Sequence, residues 1–135
     1  MHPAGALAAV ATRSRASAVR AAQTFHDWTG SRPACYHGDA PWDELLARHP
    51  DLDILAVATP DHLHAAPTLA ALAAGVHVVL EKPMTLDMRE ADEIIAAGEG
   101  ARMEATGRVA MAVAGILGMA GTTFFGGYPL ICTSS

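Results

Sequence analysis

Strand-length apolar runs alternate with helix-length segments along most of this chain, and no other feature of the sequence restricts its fold as much. Leu7 to Thr12 (LAAVAT) leads to Ser14 and Ser17, either of which can cap a helix whose stripe is Val19, Ala22 and Phe25 and which stops near Gly30. Ala34 to Tyr36 forms a brief strand, after which Asp39 supplies an N-cap and Pro41 the first turn of a helix over Trp42 to His49. Asp53 to Thr59 (DILAVAT) is a nearly continuous apolar run closed by Pro60, the pattern of a parallel strand covered on both faces. Pro67 opens a third helix with Leu69 and Leu72 facing the core, and Gly75 ends it before the strand Val76 to Leu80. After Glu81-Lys82-Pro83, Thr85 caps a fourth helix, with Asp87 at its positive end and Ala91, Ile94 and Ile95 as the buried stripe before Gly98.

This alternation predicts an α/β domain built on a doubly wound parallel sheet, with right-handed crossovers and helices on both faces. Ligands of such sheets bind beyond the carboxyl ends of the strands. The residues expected there are polar: Thr12-Arg13, Thr59-Pro60-Asp61-His62 and Glu81-Lys82-Pro83. All three clusters should converge on one edge.

The 135 residues suffice for one domain, and the 51% that are hydrophobic supply a core. Nine basic against 14 acidic residues give a net charge of -5, which excludes the clustered Lys and Arg that nucleic-acid phosphates require. Cys35 and Cys132 match neither a disulfide framework nor a metal-ligand spacing, so no metal is expected and a reducing cytoplasm is the expected setting. Met1 to Gly5 lacks the basic start of a secretory signal. Lys82 is the one lysine of the chain, which singles it out for attention.

Two stretches carry a family resemblance. Asp51 to Ile95, DLDILAVATPDHLHAAPTLAALAAGVHVVLEKPMTLDMREADEII, resembles without a gap the strand, TPxxxH turn, helix, strand and EKP signature of the Gfo/Idh/MocA oxidoreductases. Leu7 to Ala22 is similar to that family's second strand and following helix. The resemblance implies a Rossmann-like domain with a nicotinamide dinucleotide across its strand ends, and hydride exchange with a sugar, polyol or related carbonyl substrate. It makes Lys82 the candidate catalytic residue near the reacting end, puts the Thr59-Pro60 turn at the nicotinamide half, and adds His64, the match to the TPxxxH histidine, with Glu81, Lys82 and Pro83 as cofactor-binding candidates. A lysine in that position can direct its ammonium at a ribose hydroxyl or a reacting oxygen, with Glu81 orienting it. The plainer alternative is a Glu81–Lys82 surface pair worth about 0–1 kcal/mol. Thr12 and Arg13 stand where many family members carry an acidic residue for the adenosine ribose. A hydroxyl followed by arginine suits a 2'-phosphate, so NADP is expected ahead of NAD.

The sequence also departs from the family. Only six residues precede Leu7, leaving no room for a first strand and its GxGxxG loop, the usual pyrophosphate site. The expectation is an incomplete domain over 6–108, inactive alone, followed by a tail over 109–135 of unknown structure that lacks the family's substrate domain. Val109 to Ser135 contains no charged residue. The favoured account makes Arg108 to Val113 the next strand and the remainder a foreign or out-of-frame end. A membrane span over Val109 to Cys132 is disfavoured by five glycines, Pro129 and paired threonines. The third account is a docking segment for another chain. The rival functional class is accordingly a noncatalytic remnant or interaction module that binds a partner through its tail, and a homo-oligomer stays open.

Overall fold

The computed structural model describes residues 6–104 and 130–134. Strands β1 (Ala6–Thr12), β2 (Ala34–His37), β3 (Leu52–Val57), β4 (His77–Leu80) and β5 (Leu130–Ser134) form one sheet, in the order β2-β1-β5-β3-β4. Between them run α1 (Arg15–Thr29), α2 (Pro41–Arg48), α3 (Ala65–Ala73) and α4 (Met88–Glu104). β1 pairs parallel with β2 from Ala9↔Ala34 to Thr12↔His37, and β3 pairs parallel with β4 from Ile54↔His77 to Val57↔Leu80. The four strands read from the alternating pattern therefore all point one way.

β5 is the exception, and it comes from the tail. It lies antiparallel between β1 and β3, with Ile131 opposite both Val10 and Ala56. Those two strands do not pair with each other, so without β5 their facing N–H and C=O groups would need other partners. The suggested strand over Arg108 to Val113 lies outside the described residues. Among the described residues, no helix is long and apolar enough to cross a membrane.

The core divides between the two sheet faces. Ala9 and Ala11 of β1 join Leu45 of α2, Ala71 of α3 and Leu52, Leu55 and Val57 of β3 on one side. Val10 meets Ala21 and Ala22 of α1 on the other, with Leu7 and Phe25 against them. A register shift between Leu7 and Ala9 lets Leu7 share the face of Val10 despite its odd spacing. Helices on both faces make the sheet doubly wound.

Several expected details change. The buried stripe of α1 is Ala18, Ala21 and Ala22, while Val19 is 46% exposed, because alanines let the helix approach the strands closely and Val19 points aside. α3 begins at Ala65, so Pro67 falls inside the first turn. Thr68 and Ala71 are its buried positions, where Leu69 and Leu72 were expected, and both leucines are half-buried. α4 runs past Gly98 to Glu104, with Ile94 enclosed and Ile95 exposed. A glycine in a helix interior costs only about 1 kcal/mol, which packing of α4 against α3 can offset. Ile54 is 38% exposed, so β3 is covered fully only on its Leu55 and Val57 face.

Candidate functional site

Parallel strands deliver their exits to one edge of the sheet. Thr12-Arg13 leaves β1, Gly38-Asp39 leaves β2, Thr59-Pro60 follows β3 and Glu81-Lys82-Pro83 follows β4. The chain builds outward from β1 to β2, then restarts at β3 and builds the opposite way to β4, which makes the gap occupied by β5 the switch point of the sheet. At ~4.8 Å per strand, the β1 and β3 exits stand about 10 Å apart and the β1 and β4 exits about 14 Å.

At the β1 end the backbone is tied before any ligand arrives. Gly38 N–H donates to the carbonyls of Thr12 at 3.3 Å and Arg13 at 3.1 Å, so the β1 and β2 exits are held together. Its φ of 136° lies in a region that disfavours any other residue. Thr12 is buried, and its hydroxyl donates to the Ser14 carbonyl at 2.7 Å. Ser14 caps α1 by accepting from Ser17 N–H at 3.1 Å. Arg13 is exposed and stands 3.5 Å from the Asp39 carboxylate. Asp39, from the β2 exit, thus brings a carboxylate to the Arg13 side chain. Asp39 was read as a cap for α2, but Ala40 takes the cap position and makes no side-chain bond there. Pairing across neighbouring parallel strands was the signal that could have found it.

At the other end one histidine organises two loops. His64 is 1% exposed and occupies the N-cap position of α3, after a single 3-10 turn over Asp61–Leu63. Its Nε2 lies 2.7 Å from the Thr59 carbonyl, and its Nδ1 lies 2.9 Å from the Pro83 carbonyl and 3.1 Å from that of Met84. Glu81 N–H donates to the Val57 carbonyl at 3.0 Å, extending the β3–β4 ladder by one bond. The Lys82–Pro83 peptide is cis. Lys82, Glu81, Pro60 and Pro83 are all exposed at this edge. Among the described residues neither the Lys82 ammonium nor the Glu81 carboxylate has a partner, so the alternative of a Glu81–Lys82 surface pair is not formed. Thr59 Oγ1 is buried and finds no hydrogen-bond partner among the described residues. A hydroxyl so placed costs about 1–3 kcal/mol until something bonds it. Among the described residues no group of three or more His, Cys, Asp or Glu could hold a metal ion.

A doubly wound sheet with polar loops gathered at its switch point defines a nucleotide-binding architecture. The sequence assigns it more closely: residues 1–104 match the Gfo/Idh/MocA oxidoreductase family, described by its NAD-binding Rossmann fold, and the chain belongs to that family. It is 41% identical over 58 residues to a 1,5-anhydro-D-fructose reductase of Ensifer adhaerens, a stretch covering 43% of this chain and 17% of that protein. It is 39% identical over 51 residues to a scyllo-inositol 2-dehydrogenase (NADP(+)) of Bacillus subtilis, covering 38% of this chain and 14% of the other. Among solved structures it is similar to the aldose-aldose oxidoreductase of Caulobacter crescentus in complex with glycerol. The TM-score is 0.52 and the identity 29%, over 71% of this chain and 27% of that one. The chain thus matches less than a fifth of the length of each of these two curated relatives.

Proposed function

We propose that this chain forms the cofactor-facing part of an NAD(P)-dependent oxidoreductase acting by hydride transfer on a sugar, polyol or related carbonyl compound. The observation that carries the reading is the gathering of Thr12-Arg13, Thr59-Pro60 and Glu81-Lys82-Pro83 at one edge of a sheet whose family binds NAD. The reductase and dehydrogenase named above support the substrate class. The residues present fit the two ends of such a cofactor. Thr59 Oγ1 offers an unpartnered buried hydroxyl, and Arg13 offers an exposed guanidinium at the end of β1. The nicotinamide ring, when bound, supplies or accepts the hydride. Lys82 is the candidate catalytic residue, its ammonium free to hydrogen-bond a ribose hydroxyl or a reacting oxygen, and Glu81 stands beside it.

NADP is the proposed preference. A guanidinium can grip a 2'-phosphate through two parallel hydrogen bonds, and the Asp39 partner, itself exposed, is easily exchanged for that phosphate. A cytoplasmic setting goes with this reading. The test is a fluorescence titration of the chain with NADPH and with NADH. Arg13→Ala should weaken NADPH about tenfold, the equivalent of one charge-assisted bond, and change NADH little. No response to either cofactor at millimolar concentration overturns the reading and leaves a noncatalytic module in its place.

A further inference from the structure

Loops from two different strands converge on a single enclosed imidazole. Thr59 belongs to the exit of β3 and Pro83 and Met84 to the exit of β4, and the His64 ring lies between them with one nitrogen toward each. The backbone that carries the ring is held as well. His64 N–H donates to the Asp61 carbonyl at 3.3 Å and its own carbonyl accepts from Thr68 N–H at 3.3 Å, so its backbone is locked into the start of α3. Among the described residues, each hydrogen-bond partner of the ring is a carbonyl oxygen, which accepts and never donates. A neutral imidazole carries one N–H and can satisfy one side, whereas serving both sides at once takes a proton on each nitrogen.

Lys82 adjoins this arrangement directly. The residue before it is pinned to β3 by the bond from Glu81 N–H to Val57, and the residue after it is pinned by the ring through the Pro83 carbonyl. With both ring nitrogens engaged by the backbone, His64 has none left over for a cofactor. We infer that His64 is a positioning residue: a ring set within hydrogen-bonding distance of carbonyls on both sides, which clamps the Lys82 turn to the Thr59 turn and so fixes the distance between the ammonium and the unpartnered Thr59 hydroxyl. The importance of that distance rests on the function proposed above. The clamp itself does not.

The experiment separates the two sides of the ring. In His64→Gln the amide nitrogen falls near the place of Nε2 and keeps a donor toward Thr59. In His64→Asn it falls near the place of Nδ1 and keeps a donor toward Pro83 and Met84. Backbone amide relaxation is measured by NMR without cofactor, on variants first shown by thermal melting to be folded. In the Gln variant the order parameters of Lys82 and Met84 should fall from about 0.85 to below about 0.6 while Thr59 and Asp61 stay rigid, and the Asn variant should show the reverse. Equal loosening of both turns, or of neither, overturns the clamp, because a merely space-filling histidine has no sidedness.

Ring-nitrogen NMR on the unaltered chain gives a second reading that survives even if both variants unfold. Two protonated nitrogens at His64 support the clamp, and an unprotonated one overturns it. Adding NADPH then distinguishes the clamp from the function. If the unaltered chain binds, each folded variant should bind about tenfold more weakly. Binding unchanged in both variants would mean that the clamp does not position the cofactor-facing groups. If the unaltered chain does not bind at all, the functional reading falls while the relaxation data still decide the clamp.

Discussion

Side chains one residue apart differ sharply in what they contribute. Ile94 is 1% exposed and Ile95 43%, although both were expected in the stripe of the fourth helix. Ile94→Ala should cost about 2–5 kcal/mol in urea denaturation, because it removes buried methyl groups and leaves a cavity. The same change at Ile95 should cost well under half as much. The candidate site shows a similar contrast. Lys82, Glu81, Thr59, Pro60, Pro83, Thr12 and Arg13 were legible as strand-exit residues, since a strand's end is marked by where its apolar run stops. What their side chains do was not legible. The Thr12 hydroxyl turns back to Ser14, and Arg13 meets Asp39 from a different loop. Asp39→Asn should therefore raise NADPH affinity a few-fold, by removing a competitor for the guanidinium. A titration with the two nicotinamide cofactors checks it, and an equal gain for NADH would point away from the 2'-phosphate.

Helix ends follow the same physics and were read with partial success. Ser14 and Gly30 bracket α1 as expected, the glycine with φ of 74° and its N–H on the His26 carbonyl. For α4 the cap is Asp87, whose carboxylate accepts from Arg89 N–H at 2.7 Å. Thr85, expected in that role, accepts from Asp87 N–H at 3.2 Å and donates to Glu90. Two adjacent cap-forming residues compete, and only the backbone path out of the Pro83 turn selects between them. Asp87→Ala should lower stability by about 1 kcal/mol, read as a shifted denaturation midpoint. Gly75, also at φ of 74°, ends α3 and turns the chain through Val76 toward β4, with open space around the place where a Cβ would stand. Gly75→Ala should accordingly cost about 1–2 kcal/mol through backbone strain alone, with no rearrangement of neighbours in an NMR spectrum.

The sheet as a unit depends on β5. Ile131 pairs with Val10 on one side and Ala56 on the other, so it belongs to a strand with ladders along both edges. Ile131→Pro removes its N–H and should destabilise the fold by about 3 kcal/mol or more, seen as lost cooperativity in thermal unfolding. Retained stability would mean that β1 and β3 hold together without it. By itself the sequence determined the four parallel strands, their helices and the edge where polar loops gather, because those follow from local periodicity and from residues with fixed backbone preferences. The tertiary structure alone decided which alanines face the sheet, that Asp39 meets Arg13, that His64 joins two loops and that Leu130–Ser134 fills the switch point. Each of these joins groups distant along the chain, and no local spacing encodes which distant partner a side chain or a strand edge will meet.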